Sequence, residues 1–262
     1  GDFWQNKDAL EKKWHSHFLL FFSKFLARRA NAIRVVSKGI KNKLVKAGIN
    51  KDKIHAIPTP ADLSKFLTFD QTRVYELKQQ YPNKNILFVG RLETVKNLDW
   101  FLNIFKEIRK QYKDVRFLIA GQGDEKISLS LKVKELKLEK SVKFLGKVNY
   151  DDLTNYYQLA DICVLPSLSE SFGRVLVEAG ASGTPCVASS TTGAKDVIQV
   201  EETGFLVPIN NQKQTVDKIV GLLKDKKLSI KLGDKARGFV KESFDGDVQT
   251  KNILKLWKSL SF

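Results

Sequence analysis

The sequence predicts an α/β protein built on a doubly wound parallel sheet, with part of a second unit ahead of it. Three observations predict this. Short, continuously apolar runs recur from "NILFVG" (85–90) to "GFLVP" (204–208), and unbroken runs of this length fit strands covered on both faces. Helical segments alternate with them, an arrangement that gives parallel strands joined by right-handed crossovers. Two prolines in "KIHAIPTP" (53–60) divide this regular part from what precedes it.

The elements follow in order. Residues 8–30 read as a helix, with Leu10, Trp14, Phe18, Phe21, Phe25 and Leu26 on one side. "AIRVVS" (32–37) is a short strand, and "KGIKNKLVKAG" is a helix closed by Gly48. Residues 53–60 form a strand interrupted by its prolines. The regular part then predicts strands at 85–90, 115–121, 142–146, 161–166, 185–190 and 204–208. Helices are predicted at 96–111, 125–138, 150–159, 171–182, 194–199 and 212–225, with two more, 227–241 and 247–260, closing the chain.

Composition narrows the classes. A chain of 262 residues with 42% hydrophobic content can bury a sizeable core. The densest apolar run, "FLLFFSKFL" (18–26), is too short to span a membrane and contains Lys24. The start shows no secretory leader pattern. Cys163 and Cys186 both fall in strand-like runs and read as small buried hydrophobes in a reducing cytosol. Three histidines without ligand spacing argue against a metal centre. The net charge is +16, and residues 1–57 hold 13 basic against 4 acidic residues, an excess of nine. That points to an acidic partner near the N-terminal segment: anionic lipid, a phosphorylated substrate or nucleic acid. A chain with no methionine that begins at Gly1 is expected to be processed or partial.

In a doubly wound sheet, ligands sit beyond the carboxyl ends of the strands. The first strand ends in "VGRLETVKN". Gly90 permits a tight turn, and Arg91 and Lys96 stand at the mouth of the next helix. Two such cations suit a diphosphate; the alternative is a solvated basic loop. The second strand ends in "AGQGDE", where Gly121 and Gly123 allow close backbone approach to a ligand or simply a tight turn. It lacks the full dinucleotide fingerprint.

The fourth strand leads into "PSLSESFGRVLVEAGASGTP" (166–185), with Glu170 at a helix mouth and Glu178 inside the helix. Continuous helix would set these carboxylates roughly 12 Å apart, too far to share one atom. They could grip two ends of an extended ligand, with the backbone N–H groups of Ser171, Phe172 and Gly173 open to anionic oxygen between them. Glu170 could instead only favour the helix's positive end, and Glu178 could only pair with Arg174. Val175, Leu176, Val177, Ala179 and Ala181 surround Glu178, so its carboxylate needs a partner.

In this order and spacing, "RVVS", "VGRLETVKN", "IAGQGD", "VKFLGKV", "LADICVLPSLSESFGRVLVEAGASGTPCVAS" and "TGFLVP" resemble the C-terminal domain of retaining glycosyltransferases of family 4, the glycosyl transferases group 1. The resemblance runs from about residue 30 to the end. It implies a Rossmann-like sheet of GT-B type. Residues 1–57 would be the remnant of an N-terminal acceptor-binding domain, 58–84 a linker and helix, 85–245 the donor-binding domain, and 246–262 a helix packing back toward the N-terminal domain. Arg91 and Lys96 would neutralise the donor diphosphate, and Glu170 would hold the sugar hydroxyls beside the backbone of Ser171, Phe172 and Gly173. Glu178 would bind the ribose. Gly90, Gly121 and Gly123 would border the nucleotide, and Val148 would lie near the base.

The implied reaction is sugar transfer from a UDP- or GDP-linked donor to a glycan or lipid-linked acceptor, with retention and without a metal or other cofactor. A cytoplasmic enzyme, peripheral at an anionic membrane surface and without nucleic acid, is the corresponding expectation. The linker "IPTPADLSKF" departs from the Asn-Gly pattern common in the family. The resemblance also implies that the chain holds only the end of the acceptor domain, and it is expected to be a fragment that is inactive alone. Another GT-B enzyme, such as a sugar-nucleotide epimerase, or a non-catalytic polyanion-binding module, are the competing readings.

Overall fold

The computed structural model of the chain describes residue 23 and residues 25–260. The helix expected over 8–30 therefore lies mostly outside the described residues, although 25–29 are helical. A small βαβ unit follows: β1 (Ile33–Val35), α1 (Lys38–Lys46) and β2 (Ile54–Ala56), the two strands pairing in parallel. Val35, Ile49 and Ile54 form its buried centre, with Ile40 and Leu44 of α1 packed on it. Ser37 caps α1 by accepting the Ile40 N–H, and Asp196 accepts the Lys38 N–H from across the chain.

The linker contains α2 (Ser64–Leu67) and α3 (Gln71–Gln80). The pattern of the sequence showed nothing at α2, because four residues are one turn and carry no periodicity. Phe66 of this turn is nonetheless almost fully buried.

The main sheet comprises β3 (Lys84–Val89), β4 (Val115–Ala120), β5 (Val142–Gly146), β6 (Ile162–Leu165), β7 (Cys186–Ser189) and β8 (Gly204–Val207). They lie in the order β5-β4-β3-β6-β7-β8, all neighbours parallel. Relative to their sequence within the sheet this is the doubly wound order 3-2-1-4-5-6, whose topological switch lies between β3 and β6. The helices between and after these strands are α4 (Leu98–Gln111), α5 (Lys126–Glu135), α6 (Tyr150–Leu159), α7 (Arg174–Ala181), α8 (Ala194–Val197), α9 (Gln212–Lys224), α10 (Lys226–Phe244) and α11 (Gly246–Lys258).

Packing explains why the runs form these elements. In α4, Leu98, Phe101, Leu102, Phe105 and Ile108 recur at three- and four-residue steps and are all buried. Phe101 and Phe105 lie 5.0 and 5.5 Å, centroid to centroid, from Phe117 of β4. Burying each such ring contributes roughly 1.5–3 kcal/mol, so Phe105→Ala would open a hole at the helix–sheet seam. Cys163 and Cys186 are buried free thiols opposite one another on β6 and β7, as the apolar reading of both residues required.

Two helix starts differ from the sequence reading by two residues or more. α4 begins at Leu98, not 96, because Asn97 adopts φ 59° and interrupts the helical path. α7 begins at Arg174, not 171, because Gly173 adopts φ 81°. Glu170 and Glu178 are thus not joined by continuous helix, and the rise computed for one does not apply.

Candidate functional site

Most of the predicted residues lie on the loops leaving β3, β4 and β6, about the switch point, with Val148 beyond the edge strand β5 and Glu178 inside α7. The loops leaving β3 and β4 lie against each other, and glycine makes that possible. A Cβ on Gly121 would stand 1.8 Å from the Gly90 carbonyl oxygen, and one on Gly123 would stand 2.3 Å from that of Leu92. Gly90 donates to the Ala120 carbonyl at 3.0 Å, and Leu92 to that of Gln122 at 2.8 Å. What these glycines approach closely is the neighbouring loop. Val148 follows β5, half-buried against the core, on the edge strand's side of the sheet.

Beyond Gly90, a tight turn over Thr94–Lys96 precedes the left-handed Asn97. The Asn97 amide donates to the Pro166 carbonyl at 3.2 Å and to Asn210 Oδ1 at 2.9 Å. Leu168 N–H donates to the Val95 carbonyl at 2.9 Å. These bonds stitch the loop after β3 to the loop after β6. They deliver Lys96 to Glu170: Lys96 Nζ donates to Glu170 Oε1, which also accepts from Ser167 Oγ at 2.9 Å. Arg91 points elsewhere, to Glu93 at 2.6 Å, and its side chain is largely exposed. The two cations are therefore not joined on one carboxylate.

The Glu170 loop is fixed from the other side by the turn after β7. Gly193 N–H donates to the Glu170 carbonyl at 2.8 Å. A Cβ on Gly193 would fall 2.3 Å from the Phe172 nitrogen, so the two loops touch backbone to backbone. The Phe172 ring is buried, 5.6 Å from the ring of Phe244 in α10. Ser171 precedes it, half-buried, and Gly173 sets the left-handed entry to α7.

Glu178 lies one turn into α7 and is only 4% exposed. Arg174 Nε donates to its Oε1 at 2.9 Å and Tyr157 Oη to its Oε2 at 3.0 Å. Burial raises the Glu178 carboxyl above its ordinary range, against the opposing pull of Arg174 and Tyr157. Tyr157 is fully buried, and burial, then the adjacent Glu178, pushes its hydroxyl well up. The sequence identified Arg174 as one alternative partner. It did not identify Tyr157, since an aromatic on an amphipathic helix reads as core; its spacing of seven from Tyr150 was the available signal.

Residues 75–239 match the family described as glycosyl transferases group 1. An uncharacterized glycosyltransferase of Haemophilus influenzae is 33% identical over 179 residues, covering 68% of this chain and 49% of that protein. The N-acetyl-alpha-D-glucosaminyl L-malate synthase of Bacillus anthracis is 30% identical over 226 residues, covering 78% of this chain and 58% of that protein. The chain thus spans about half the length of the curated relatives it matches. Among solved structures, the sucrose-phosphate synthase of Thermosynechococcus elongatus superposes with a TM-score of 0.85 at 25% identity, covering 96% of this chain and 63% of that one. Anabaena Alr3699/HepE in complex with UDP superposes at 0.87 with 22% identity, covering 95% of this chain and 69% of that one, a likeness of fold.

Proposed function

The chain belongs to the glycosyl transferases group 1 family, and on that premise we propose that it forms the nucleotide-sugar half of a retaining glycosyltransferase of family 4. The observation that carries the reading is the contact of Lys96 with Glu170 at the switch point between β3 and β6. One is a cation suited to a leaving phosphate and the other a carboxylate suited to sugar hydroxyls. Their adjacency matches the juncture of phosphate and sugar in the donor.

In this reading Lys96 and Arg91 take up the charge that develops on the diphosphate as the anomeric C–O bond breaks. Arg91 must leave Glu93 to do so. Glu170 accepts from sugar hydroxyls, and the backbone N–H groups of Ser171, Phe172 and Gly173 lie beside it. Glu178 accepts from the ribose hydroxyls. Gly90, Gly121 and Gly123 form the floor near the nucleotide, with Val148 toward the base. The acceptor oxygen attacks from the face the phosphate leaves, and its proton passes to the departing phosphate oxygen. The two cations neutralise a UDP or GDP diphosphate without a metal.

The acceptor in this proposal is a glycan or lipid-linked glycan, met by the whole protein at the cytoplasmic face of an anionic membrane. Arg28, Arg29, Lys38, Lys46, Lys51 and Lys53 carry charge on the N-terminal side, where Phe25 and Leu26 are exposed. No helix among the described residues is long and apolar enough to cross a membrane.

A thermal-shift screen against UDP, GDP and ADP sugars tests the donor reading, because a ligand that binds only the folded chain raises its melting temperature. Stabilisation by one nucleotide class, followed by transfer to an acceptor, supports it. Sugar interconversion without transfer would favour an epimerase. Response only to nucleic acid, with steep salt dependence, would favour a polyanion-binding module.

A further inference from the structure

Four side chains from two helices form one continuous hydrogen-bonded chain. Arg174 Nη2 donates to Tyr150 Oη at 2.8 Å, Arg174 Nε to Glu178 Oε1 at 2.9 Å, and Tyr157 Oη to Glu178 Oε2 at 3.0 Å. Tyr150 and Tyr157 stand two turns apart on α6; Arg174 and Glu178 stand one turn apart on α7. The linker turn α2 closes over both tyrosines. Phe66 meets the Tyr150 ring edge-on at 5.4 Å and the Tyr157 ring at 5.9 Å. Lys65 sits over the Tyr150 ring at 5.5 Å and pairs with Asp151 at 2.6 Å. Cys163 of β6 and Cys186 of β7 are the further titratable groups facing Tyr157 from the sheet, and Cys163 bears on Glu178 as well.

We infer that Arg174 and Tyr157 are positioning residues that hold the Glu178 carboxylate in one orientation for a pair of ligand hydroxyls. This rests on the reading of Glu178 as the ribose ligand. An ionised carboxylate has about four acceptor positions. Here one fixed donor occupies each oxygen, so the group cannot turn about its last bond. The lone pairs left over keep one direction, which suits the two neighbouring hydroxyls of a ribose. A carboxylate held in advance loses less freedom on binding than one that must be ordered by its ligand. Stability alone does not account for the arrangement, because the carboxylate is buried and its desolvation is a cost that an apolar residue of the same volume would not carry.

The test measures UDP and GDP affinity by calorimetry across pH, with melting temperatures, for the wild-type chain and for Glu178→Gln, Arg174→Gln and Tyr157→Phe. Arg174→Gln and Tyr157→Phe should each weaken binding about three- to tenfold. Each should also move the acid-side midpoint of binding to higher pH, because each removes a donor that favours the ionised carboxylate. The phosphate's own titration is common to all variants, and a purely structural role would shift melting without moving that midpoint. Unchanged affinity in Glu178→Gln would remove the ribose reading itself. Loss in Glu178→Gln, with wild-type affinity and midpoint in the other two, would overturn the positioning role and leave the ribose reading standing. If Tyr157→Phe does not fold, Arg174→Gln decides alone, since Arg174 is more than half exposed.

Discussion

Lys96 and Glu170 form an ion pair across the switch point of the sheet, joining the loop after β3 to the loop after β6, with both side chains more than four-fifths shielded from solvent. Removing one member strands the other. Lys96→Ala should weaken nucleoside diphosphate binding by roughly 2–5 kcal/mol and also lower stability. Arg91→Ala should weaken binding with little loss of stability, because its own pair with Glu93 is mostly exposed. Calorimetry with UDP and GDP, alongside denaturant unfolding, checks both. Wild-type affinity in both variants would remove the diphosphate clamp.

Glu178 sets a pH dependence of stability. Burial lifts its carboxyl above the ordinary 4.5, so the folded chain keeps this proton where the unfolded chain has released it. Folding is therefore favoured on the acid side, and that contribution is lost as pH rises from 4.5 through the raised value. At pH 8 the buried charge is a cost that Glu178→Gln relieves. The variant should melt about 2–4 °C above wild type there, with the difference closing as pH falls. A variant that melts lower at every pH would show that the Arg174 and Tyr157 bonds outweigh desolvation.

Two glycine substitutions should differ in size for a stated reason. Gly121→Ala forces a Cβ onto the Gly90 carbonyl at a backbone φ of 151°, so a loop must move. Gly146→Ala meets open space and carries only the strain of φ 71°. The second should cost about 1–2 kcal/mol, and the first distinctly more, by urea unfolding. Equal losses would show that the close approach of the two loops is not what demands glycine at 121.

Phe66→Ala should destabilise the chain by about 3–5 kcal/mol. The ring is almost wholly buried and supports both Tyr150 and Tyr157. Phe66→Leu, which refills most of the volume, should recover the larger part of the loss. A change within experimental error for the alanine variant would mean that α2 does not stay docked in solution.

The central strands β3, β4, β6 and β7 were legible in the sequence because they are covered on both faces and so read as short apolar runs; Ile86, Leu87 and Phe88 are fully buried. Glycines and charges at the strand ends were legible for a related reason, since topology sends those ends to one crevice. The contact of Lys96 with Glu170 was not legible. It spans 74 residues and depends on the left-handed turn at Asn97. A residue other than glycine in that conformation leaves no periodic trace. Tyr157 was hidden differently, because its ring belongs to the core and only its hydroxyl reports on Glu178. The one-turn helix α2 was hidden by its length.

Three cations on the loops and helix about the switch point each have a carboxylate in contact: Arg91 with Glu93, Lys96 with Glu170, and Arg174 with Glu178. In a chain with a net charge of +16, this crevice carries its counter-ions covalently. Unpaired cations in an open cleft gather mobile anions, and a polyanionic ligand gains by releasing them to bulk, more so in dilute salt. Tethered carboxylates cannot be released. A diphosphate entering here would exchange one set of fixed partners for another, so its affinity should vary less with ionic strength than the chain's overall charge implies. Attraction at long range then falls to the lysines and arginines of the outer surface, which act on the rate of encounter more than on the strength of the final complex.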